Sequence, residues 1–295
     1  MSVSTQKQKR AYLYASAAVL FWATIASAFK LSLQYLDVLP LLFYASTTAT
    51  VTLFLYLLFA GKLSLLRTLS RADYLRSCVL GFLNPFLYYV VVLNAYAILR
   101  AQEAVTINFI WPIVLVLLSK PLLRQEIRPR TISAITISFF GVFIIATRGD
   151  ILGFTFTSPF GVLLALGSTI IWALFWIYNT RDKRDEAVRL FLNFIFGSVF
   201  VFLSMLLFAG IKMPNPKGIL GAAYVGLFEM GITFLVWLKA LRLSKTTAHV
   251  ASLVYLAPFL SLVVLPFAVG EEILSSTIVG LVFIVGGIIL QKLWG

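Results

Sequence analysis

The sequence predicts an all-α integral membrane protein in which ten transmembrane helices form two inverted five-helix repeats. Hydrophobic residues make up 61% of the 295-residue chain and charged residues only 12%, about half of the roughly 25% found in soluble domains. The hydrophobic residues fall into ten stretches, and several residues of the first half of the chain recur in the same order in the second half. This composition excludes a water-soluble domain and a disordered chain.

Each apolar stretch has roughly the 17–25 residues that a helix needs to cross the hydrocarbon core of a bilayer. The predicted spans cover residues 11–31, 39–60, 75–98, 103–120, 130–148, 159–179, 187–209, 218–241, 246–268 and 273–293. Short connectors with turn-forming residues such as Gly61, Pro129 and Gly270 separate the spans. None of the connectors is long enough to hold a soluble domain.

The first span can also be interpreted as a secretory signal peptide, because Lys7, Lys9 and Arg10 precede an apolar run that ends in Ala26-Ser27-Ala28. The run is longer than the apolar region of a signal peptide, and the internal repeat needs this segment as a helix. We therefore expect the first span to be retained.

The net charge of +13 comes from 24 Lys and Arg residues against 11 Asp and Glu residues. With the N-terminus in the cytoplasm, 19 of the 24 basic residues fall on the cytoplasmic side of the predicted spans. The other five are Lys30, Arg100, Arg148, Lys212 and Lys217. This bias follows the positive-inside rule and predicts a multi-pass protein of the bacterial inner membrane with both termini cytoplasmic. No nucleic acid is expected as a partner.

Residues of the same type recur at an offset of 145 to 150 positions along the chain. The pairs are Trp22 and Trp172, Pro112 and Pro258, Glu126 and Glu271, and Gly141 and Gly286. They divide the chain into residues 1–148 and 149–295, with five predicted spans in each half. Because five is odd, the second half enters the membrane from the opposite face, and the repeats are inverted. Inverted repeats are typical of transporters that alternate between two conformations, although channels also use them.

At these positions the sequence resembles the ten-helix carriers of the drug/metabolite transporter superfamily, EamA type. The resemblance rests on the paired tryptophans, on the prolines of spans 4 and 9, and on the acidic residues that precede the Gly-containing spans 5 and 10. The run Asn108-Phe109-Ile110-Trp111-Pro112 resembles the branch that exports aromatic and other amino acids. The resemblance implies a central cavity lined by helices 1, 3, 4, 6, 8 and 9, from which substrate leaves the cytoplasm.

Aromatic and amide side chains share helix faces inside several spans. Trp172, Trp176 and Asn179 recur at i, i+4 and i+7. Asn84 and Tyr88 share a face at i and i+4, and Asn108 and Trp111 are neighbours at i and i+3. Because a lipid-facing helix gains nothing from Asn, we expect these faces to point inward, although Trp and Tyr also form interfacial belts. The predicted substrate-binding residues are Trp22, Asn84, Tyr88, Tyr89, Asn108, Trp111, Trp172, Trp176, Asn179, Glu229 and Tyr255.

Backbone carbonyls are a second source of polar groups inside the spans. Pro85, Pro112 and Pro258 are predicted to break their helices, because proline removes a backbone donor and leaves a carbonyl without its usual partner.

Ionisable residues inside spans are rare and often functional. Glu229, in the middle of span 8, is predicted to bind a substrate ammonium group or to carry a proton, with a structural, protonated carboxyl as the alternative. His249 is either a proton-linked gate or an interfacial histidine. Glu103 is interpreted as a helix cap or gate residue. Glu126 and Glu271 are interpreted as caps that can also tie the two halves together.

The sequence offers little for enzyme or cofactor chemistry. With one cysteine, Cys78, and one histidine there is no intramolecular disulfide and no multi-Cys metal site, so neither a cofactor nor a metal is expected. The chain contains no phosphate-binding loop of the G-x-x-x-x-G-K-[ST] type and no H-E-x-x-H or G-x-S-x-G motif. An ATP-driven pump and a hydrolase are therefore disfavoured.

The resulting functional prediction is a secondary transporter, not an enzyme, that exports aromatic and other neutral amino acids by alternating access. A carrier of other small metabolites or amphipathic drugs is the alternative within the same class, and a membrane-embedded enzyme or sensor is the alternative outside it. The expected partners are a small-molecule substrate and the lipid bilayer. Proton coupling, facilitated exit and oligomeric state stay open, with a monomer among the options.

Overall fold

A computed structural model of the chain describes residues 3–123, 129–153, 158–210, 213–244 and 252–294. Within these ranges every regular element is a helix, so the predicted all-α class is confirmed. The α-helices are α1 (Val3–Leu33), α2 (Val38–Phe59), α3 (Arg71–Gly81), α4 (Tyr88–Ile98), α5 (Ala101–Asn108), α6 (Trp111–Leu123), α7 (Pro129–Ala146), α8 (Pro159–Thr180), α9 (Glu186–Phe208), α10 (Pro216–Val225), α11 (Ile232–Leu243), α12 (Ala257–Val269) and α13 (Ser275–Trp294).

Seven helical stretches among the described residues are long and apolar enough to cross a membrane. They are Gln6–Leu33, Val38–Phe59, Arg71–Ile98, Ala101–Leu118, Pro159–Asn179, Glu186–Phe208 and Pro216–Leu243. Three shorter apolar helices cover Ile132–Ala146, Leu253–Val269 and Ser275–Leu290. A multi-pass helical membrane protein follows from these lengths, whereas the count of ten spans depends on the three shorter helices and stays a prediction.

Several of the membrane-length stretches are not regular helices throughout. A π-helical turn at Phe82–Leu87 joins α3 to α4, and within it Asn84 has an extended backbone with φ −152° and ψ 120°. A second π-helical turn, at Gly226–Gly231, joins α10 to α11. Between α5 and α6 the helix is interrupted after Asn108. These interruptions fall where proline removes a backbone donor or where a wider turn is inserted.

Proline lies at or just after two of these interruptions and also at the start of α12. Pro85 is within the first π-helical turn, and its peptide bond to Asn84 is cis. Pro112 is the second residue of α6, and Pro258 is the second residue of α12, which follows a 3₁₀ turn at Ser252–Leu256. The first turn of a helix tolerates proline because its N–H groups have no intrahelical partner there.

The chain packs as two compact units that do not coincide with its two halves. The first unit contains Met1–Phe86 and Lys183–Val264, and the second contains Leu87–Asp182 and Leu265–Gly295. Each unit therefore combines helices from both halves of the sequence. The assignment of residues 1–148 and 149–295 to two repeats concerns sequence symmetry and stays a prediction.

In the first unit, α1 packs against α10 and α11, and α9 packs against α2 and α3. The contact between α3 and α9 is made by backbone, because a Cβ atom added to Gly81 would lie 2.4 Å from the carbonyl oxygen of Asn193. Likewise, a Cβ atom on Gly226 would lie 2.4 Å from the carbonyl oxygen of Ala45. Small residues permit this close approach in membrane helices, where van der Waals packing drives association.

In the second unit, α8 packs against α4, α5 and α6, and α7 packs along α13. The α7–α13 contact is also made by glycine, because a Cβ atom on Gly141 would lie 2.5 Å from the carbonyl oxygen of Gly280. One helical turn away, the Ser138 hydroxyl donates to the carbonyl oxygen of Ile284 over 3.1 Å. This helix pair therefore has very little free space.

Neighbouring glycines on α13 allow a direct test of this packing. A Cβ atom at Gly287 would lie 2.2 Å from Ser138 Oγ and 2.6 Å from the carbonyl oxygen of Ala134, whereas nothing lies within 4 Å of a Cβ atom at Gly286. We expect Gly287→Ala to lower the free energy of unfolding by about 1–3 kcal/mol through overpacking. Gly286→Ala should leave stability unchanged or raise it, since Ala forms helix better than Gly by about 1 kcal/mol. Thermal unfolding of both purified variants in detergent measures the difference, and equal melting temperatures would contradict the described α7–α13 packing.

Candidate substrate-binding site

The second unit contains a cluster of aromatic side chains at the face that the sequence predicts to point inward. Trp172 and Trp176 lie one turn apart on α8, with ring centroids 5.8 Å apart. The Trp172 ring is tilted against Tyr88 of α4 at 4.6 Å, and the fully buried Tyr89 lies edge-on to Tyr88 at 4.8 Å. These rings form a continuous apolar surface contributed by two helices.

An amide side chain joins three helices at this aromatic surface. Asn108, at the last residue of α5, donates from Nδ2 to the Ser168 hydroxyl over 2.7 Å. Its Oδ1 atom accepts a hydrogen bond of 3.3 Å from the Tyr88 hydroxyl. The Ser168 hydroxyl in turn donates to the carbonyl oxygen of Ala165 over 2.7 Å. Asn108 is thereby fixed against both α4 and α8, and Tyr88, Asn108 and Trp172 come together.

Sequence reasoning missed Ser168, although a signal for it was present. Ser168 precedes Trp172 by four residues, as Trp172 precedes Trp176, so the three side chains lie along one face of α8. Because Trp172 and Trp176 were predicted to line the cavity, the Ser168 hydroxyl on the same helix face could have been predicted as a hydrogen-bond partner for Asn108.

Two polar atoms of the same unit are buried without a hydrogen-bond partner among the described residues. They are Nε1 of Trp176 and Oδ1 of Asn179, both predicted to bind substrate. A buried polar group without a partner costs about 1–3 kcal/mol, so a donor and an acceptor that are retained on α8 are candidates for ligand contact. Trp111, the first residue of α6, is half-buried.

The first unit has its own aromatic and hydroxyl cluster between α1 and the α10–α11 segment. Trp22 packs edge-on against Trp237 with ring centroids 5.4 Å apart. The hydroxyl groups of Thr24 and Tyr224 are 2.8 Å apart, and Phe228 packs against Tyr224 at 4.8 Å. The Trp22 position was predicted from sequence, but the Thr24–Tyr224 pair was not, because the two residues are 200 positions apart.

Glu229 of the first unit lies in the π-helical turn Gly226–Gly231 and is 8% exposed. The Thr233 hydroxyl donates to the carbonyl oxygen of Phe228, which is five residues earlier, as the wider turn requires. π-helical turns inside α-helices are frequent at functional sites. The turn therefore gives Glu229 a local geometry that a regular helical repeat does not predict.

Asn84 is fully buried, and neither of its side-chain amide atoms has a hydrogen-bond partner among the described residues. The prediction that Asn84 and Tyr88 share a helix face assumed a continuous helix between them. The backbone at Asn84 is extended, so the helix is interrupted and that assumption does not hold. Tyr255 is half-buried in the 3₁₀ turn that precedes α12. His249 and Glu126 lie outside the described residues.

Glu271 forms a helix cap in the second unit. Its Oε1 atom accepts a hydrogen bond of 2.8 Å from the N–H of Ala101, and its Oε2 atom accepts one of 3.2 Å from the N–H of Gln102. These are first-turn N–H groups of α5, which have no partner within their own helix, and the carboxylate also suits the positive end of the helix dipole. A residue of the second half of the chain therefore caps a helix of the first half.

Gln102 extends this connection with its side chain. Its Oε1 atom accepts hydrogen bonds of 2.9 Å from the N–H of Leu274 and from the hydroxyl of Thr277. Its Nε2 atom donates to the carbonyl oxygen of Glu272 over 2.8 Å. The start of α13 is thus held against the start of α5.

Glu103 is almost completely buried at the same helix end. Its Oε1 atom is 2.7 Å from Nε of Arg148, and its Oε2 atom accepts a hydrogen bond of 3.3 Å from the N–H of Arg100. Removing one partner of a buried pair leaves an uncompensated charge. These contacts tie Glu103 to the N-terminus of α5, and the choice between a cap and a gate residue stays a prediction.

No three His, Cys, Asp or Glu side chains come together as a metal site within the part of the chain that the structure describes.

Consecutive glutamates allow the cap to be tested. We expect Glu271→Ala to lower the free energy of unfolding by about 1–2 kcal/mol, because two N–H groups at the start of α5 lose their acceptor. Glu272→Ala is the matched control, since Glu272 contacts Gln102 through its backbone carbonyl, which the substitution keeps. Thermal unfolding in detergent should separate the two variants, and an unchanged melting temperature for Glu271→Ala would show that the cap is unimportant for stability.

The fold and these clusters define a class of protein: a multi-pass helical membrane protein with amide, hydroxyl and aromatic side chains buried inside apolar helices. The family model of the EamA-like transporter family matches residues 9–147 and 159–291, and the chain belongs to that family. It is accordingly a membrane transporter and not an enzyme.

The similar proteins are transporters as well. An uncharacterized transporter of Archaeoglobus fulgidus is 24% identical over 95% of this chain and 96% of its own. The uncharacterized transporter YvbV of Bacillus subtilis is 27% identical over 92% of this chain and 88% of its own. The aromatic amino acid exporter YddG of Ancylobacter novellus is 24% identical over 70% of this chain and 72% of its own.

A solved crystal structure shares the fold. It aligns with a TM-score of 0.68 over 97% of this chain and 99% of its own, at 22% sequence identity.

Proposed function

We propose that this transporter exports aromatic and other neutral amino acids from the cytoplasm by alternating access. The observation that carries the proposal is the cluster in which Trp172 packs on Tyr88 while Asn108 bonds to both Tyr88 and Ser168. Aromatic faces bind apolar and aromatic groups through area burial and favourable ring geometry. The similarity to an aromatic amino acid exporter supports the same substrate class.

The polar atoms at the cluster match the two charged ends of an amino acid. The indole N–H of Trp176 is a donor suited to a carboxylate, and the Asn179 Oδ1 atom is an acceptor suited to an ammonium group. In the first unit, Glu229 is the candidate anchor for an ammonium group or the site of a transported proton. A substrate that satisfies the Trp176 and Asn179 atoms removes the cost of burying those two atoms without a hydrogen-bond partner.

We further infer ten spans in two inverted repeats, residues 1–148 and 149–295, in the cytoplasmic membrane with both termini in the cytoplasm. Support comes from the two stretches that match the family model, 9–147 and 159–291, and from the placement of the basic residues. An odd number of spans per repeat supplies the two related conformations that alternating access needs.

Export of other small metabolites or amphipathic drugs is the second candidate. One feature favours it: Tyr88, Asn108, Ser168 and Trp172 carry no charge at neutral pH, so this cluster selects for shape and apolar surface more than for charge. Both candidates predict saturable exchange of the solute.

Counterflow in proteoliposomes tests the proposal. Purified protein is expected to exchange radiolabelled Trp, Phe, Met and Thr saturably, and Trp172→Ala should raise the half-saturation concentration for Trp and Phe about tenfold through loss of one aromatic contact. Phe160→Ala is the matched control, because Phe160 is an aromatic residue of the same helix that is 63% exposed, and its exchange kinetics should be unchanged. Absence of exchange with all four amino acids, in protein that melts cooperatively, would exclude this substrate class and move the assay to other metabolites.

Glu229→Gln separates the two roles of that carboxyl. If Glu229 anchors an ammonium group, counterflow of all four amino acids should weaken; if it carries a proton, counterflow should persist while an imposed pH gradient no longer drives accumulation. Glu272→Gln, at an exposed position, is the control and should behave as the unsubstituted protein. Unchanged counterflow and unchanged response to the gradient in Glu229→Gln would exclude Glu229 from both roles.

A further inference from the structure

A cavity of about 460 Å³ lies within the first unit, between residues of α1, α2, α9 and α11. It is distinct from the aromatic cluster of the second unit and from the Trp22–Trp237 contact. Three basic side chains line it, Lys62, Lys239 and Arg242, together with the carboxylate of Glu186. The two phenol groups of Tyr14 and Tyr56 also line it.

Three of the four charged residues of this cavity are at helix ends, and Lys239 is about one helical turn before the end of α11. Lys62 follows the end of α2, Glu186 is the first residue of α9, and Arg242 is in the last turn of α11. Ends of membrane-length helices lie at the level of the lipid headgroups. The charges of the cavity therefore lie at one interface of the bilayer.

Apolar residues line the other end of the cavity. Ile232, Leu235 and Val236 of α11 belong to the lining, and Ile232 precedes Lys239 by seven residues, or about 10 Å along a helix. This end is therefore at the depth of the acyl chains. The cavity has charged residues at the headgroup level and apolar residues at the acyl-chain level, as a phospholipid does.

The three basic side chains are not equivalent. Lys62 is 2.7 Å from the Asp185 carboxylate, and Arg242 forms an ion pair with Glu186. Lys239 instead lies over the ring of Tyr14, with its Nζ atom 4.7 Å from the ring centroid, an arrangement that leaves ammonium protons for a further acceptor.

The Asp185 carboxyl is held in its ionised form. Burial raises the pKa of Asp185, but the hydrogen bonds from Lys62 and from the N–H groups of Val188 and Ala187 outweigh it, and the net effect lowers the pKa below its ordinary value. Asp185 therefore stays negative at neutral pH and remains committed to Lys62 and to the α9 N-terminus. Lys62 and Arg242 are therefore each paired with a carboxylate, whereas the described neighbour of the Lys239 ammonium group is the ring of Tyr14.

We propose that this cavity binds an anionic phospholipid, with the phosphate on Lys239 and the phenol hydroxyls of Tyr14 and Tyr56, and with an acyl chain along the apolar face of α11. An ammonium group with hydroxyl donors beside it is a phosphate site, and the apolar wall favours a lipid over a free phosphate. The excess of basic over acidic side chains favours an anionic headgroup over a zwitterionic one. This inference does not depend on which solute the protein transports.

Native mass spectrometry of the delipidated protein in detergent tests the proposal, with phosphatidylglycerol, phosphatidylcholine and glycerol phosphate as probes. We expect phosphatidylglycerol to bind more tightly than phosphatidylcholine, and glycerol phosphate to bind far more weakly than either. Lys239→Gln should weaken phosphatidylglycerol binding about fivefold. The matched control is Lys217→Gln, because Lys217 is also in the first unit and also lies over a tyrosine, Tyr35, at 5.7 Å, but is outside the cavity.

A second variant tests the apolar end without a change of charge. Val236→Phe fills the wall on α11 and should weaken phosphatidylglycerol binding while leaving that of glycerol phosphate unchanged. Equal binding of glycerol phosphate and phosphatidylglycerol would identify a free-anion site and overturn the lipid assignment. Equal binding of both lipids, or equal effects of Lys239→Gln and Lys217→Gln, would overturn the role of Lys239. Should Lys239→Gln fail to fold, Val236→Phe and the comparison of the three probes on the unsubstituted protein decide the question.

Discussion

The hydrocarbon core of a bilayer offers no hydrogen-bond partner, and the polar groups of this chain are arranged around that constraint. Along α2 the hydroxyl groups of Thr48, Thr50 and Thr52 donate to carbonyl oxygens four residues earlier, at 2.7 to 2.8 Å. At the start of α5 the Glu271 carboxylate supplies the missing acceptor, and the Gln102 side chain of α5 in turn accepts from the N–H of Leu274 just before α13. Several buried polar atoms have no such partner among the described residues, and those of Trp176 and Asn179 belong to the helix face that carries the aromatic cluster.

Much of this arrangement could be predicted from the sequence, and the reason is helical periodicity. The face shared by Trp172 and Trp176 and the inward placement of Asn108 follow from spacing in a regular helix together with the cost of exposing an amide to lipid. Glu271 was interpreted as a cap because it lies at the start of the last predicted span, and the structure shows it capping a helix, but that helix is α5 and not the one it precedes. The absence of strands among the described residues follows from the lengths of the apolar stretches alone.

The rest could not be predicted because it depends on departures from the regular helix or on partners distant in sequence. A π-helical turn at Glu229 and an extended residue at Asn84 shift every later side chain on their helices. Pro85 signals the break beside Asn84 but not its geometry, and the turn at Glu229 has no local signature strong enough to be identified. Arg148 pairs with Glu103 across 45 positions and Tyr224 with Thr24 across 200. The cavity that contains Lys239 is formed by four helices, so no single stretch of sequence describes it.

The composition of the two compact units has a consequence for synthesis on the ribosome. In the first unit α2 packs against α9, which begins at residue 186, about 130 residues after α2 ends. At a translation rate of roughly 5–20 residues per second, α2 enters the membrane roughly 6–25 seconds before its partner exists. During that interval the α2 face that carries Ser46 and Thr50 contacts lipid or the insertion machinery, and the hydroxyl bonds of these two residues to carbonyl oxygens of α2 itself keep that face satisfied while the nascent chain is incomplete.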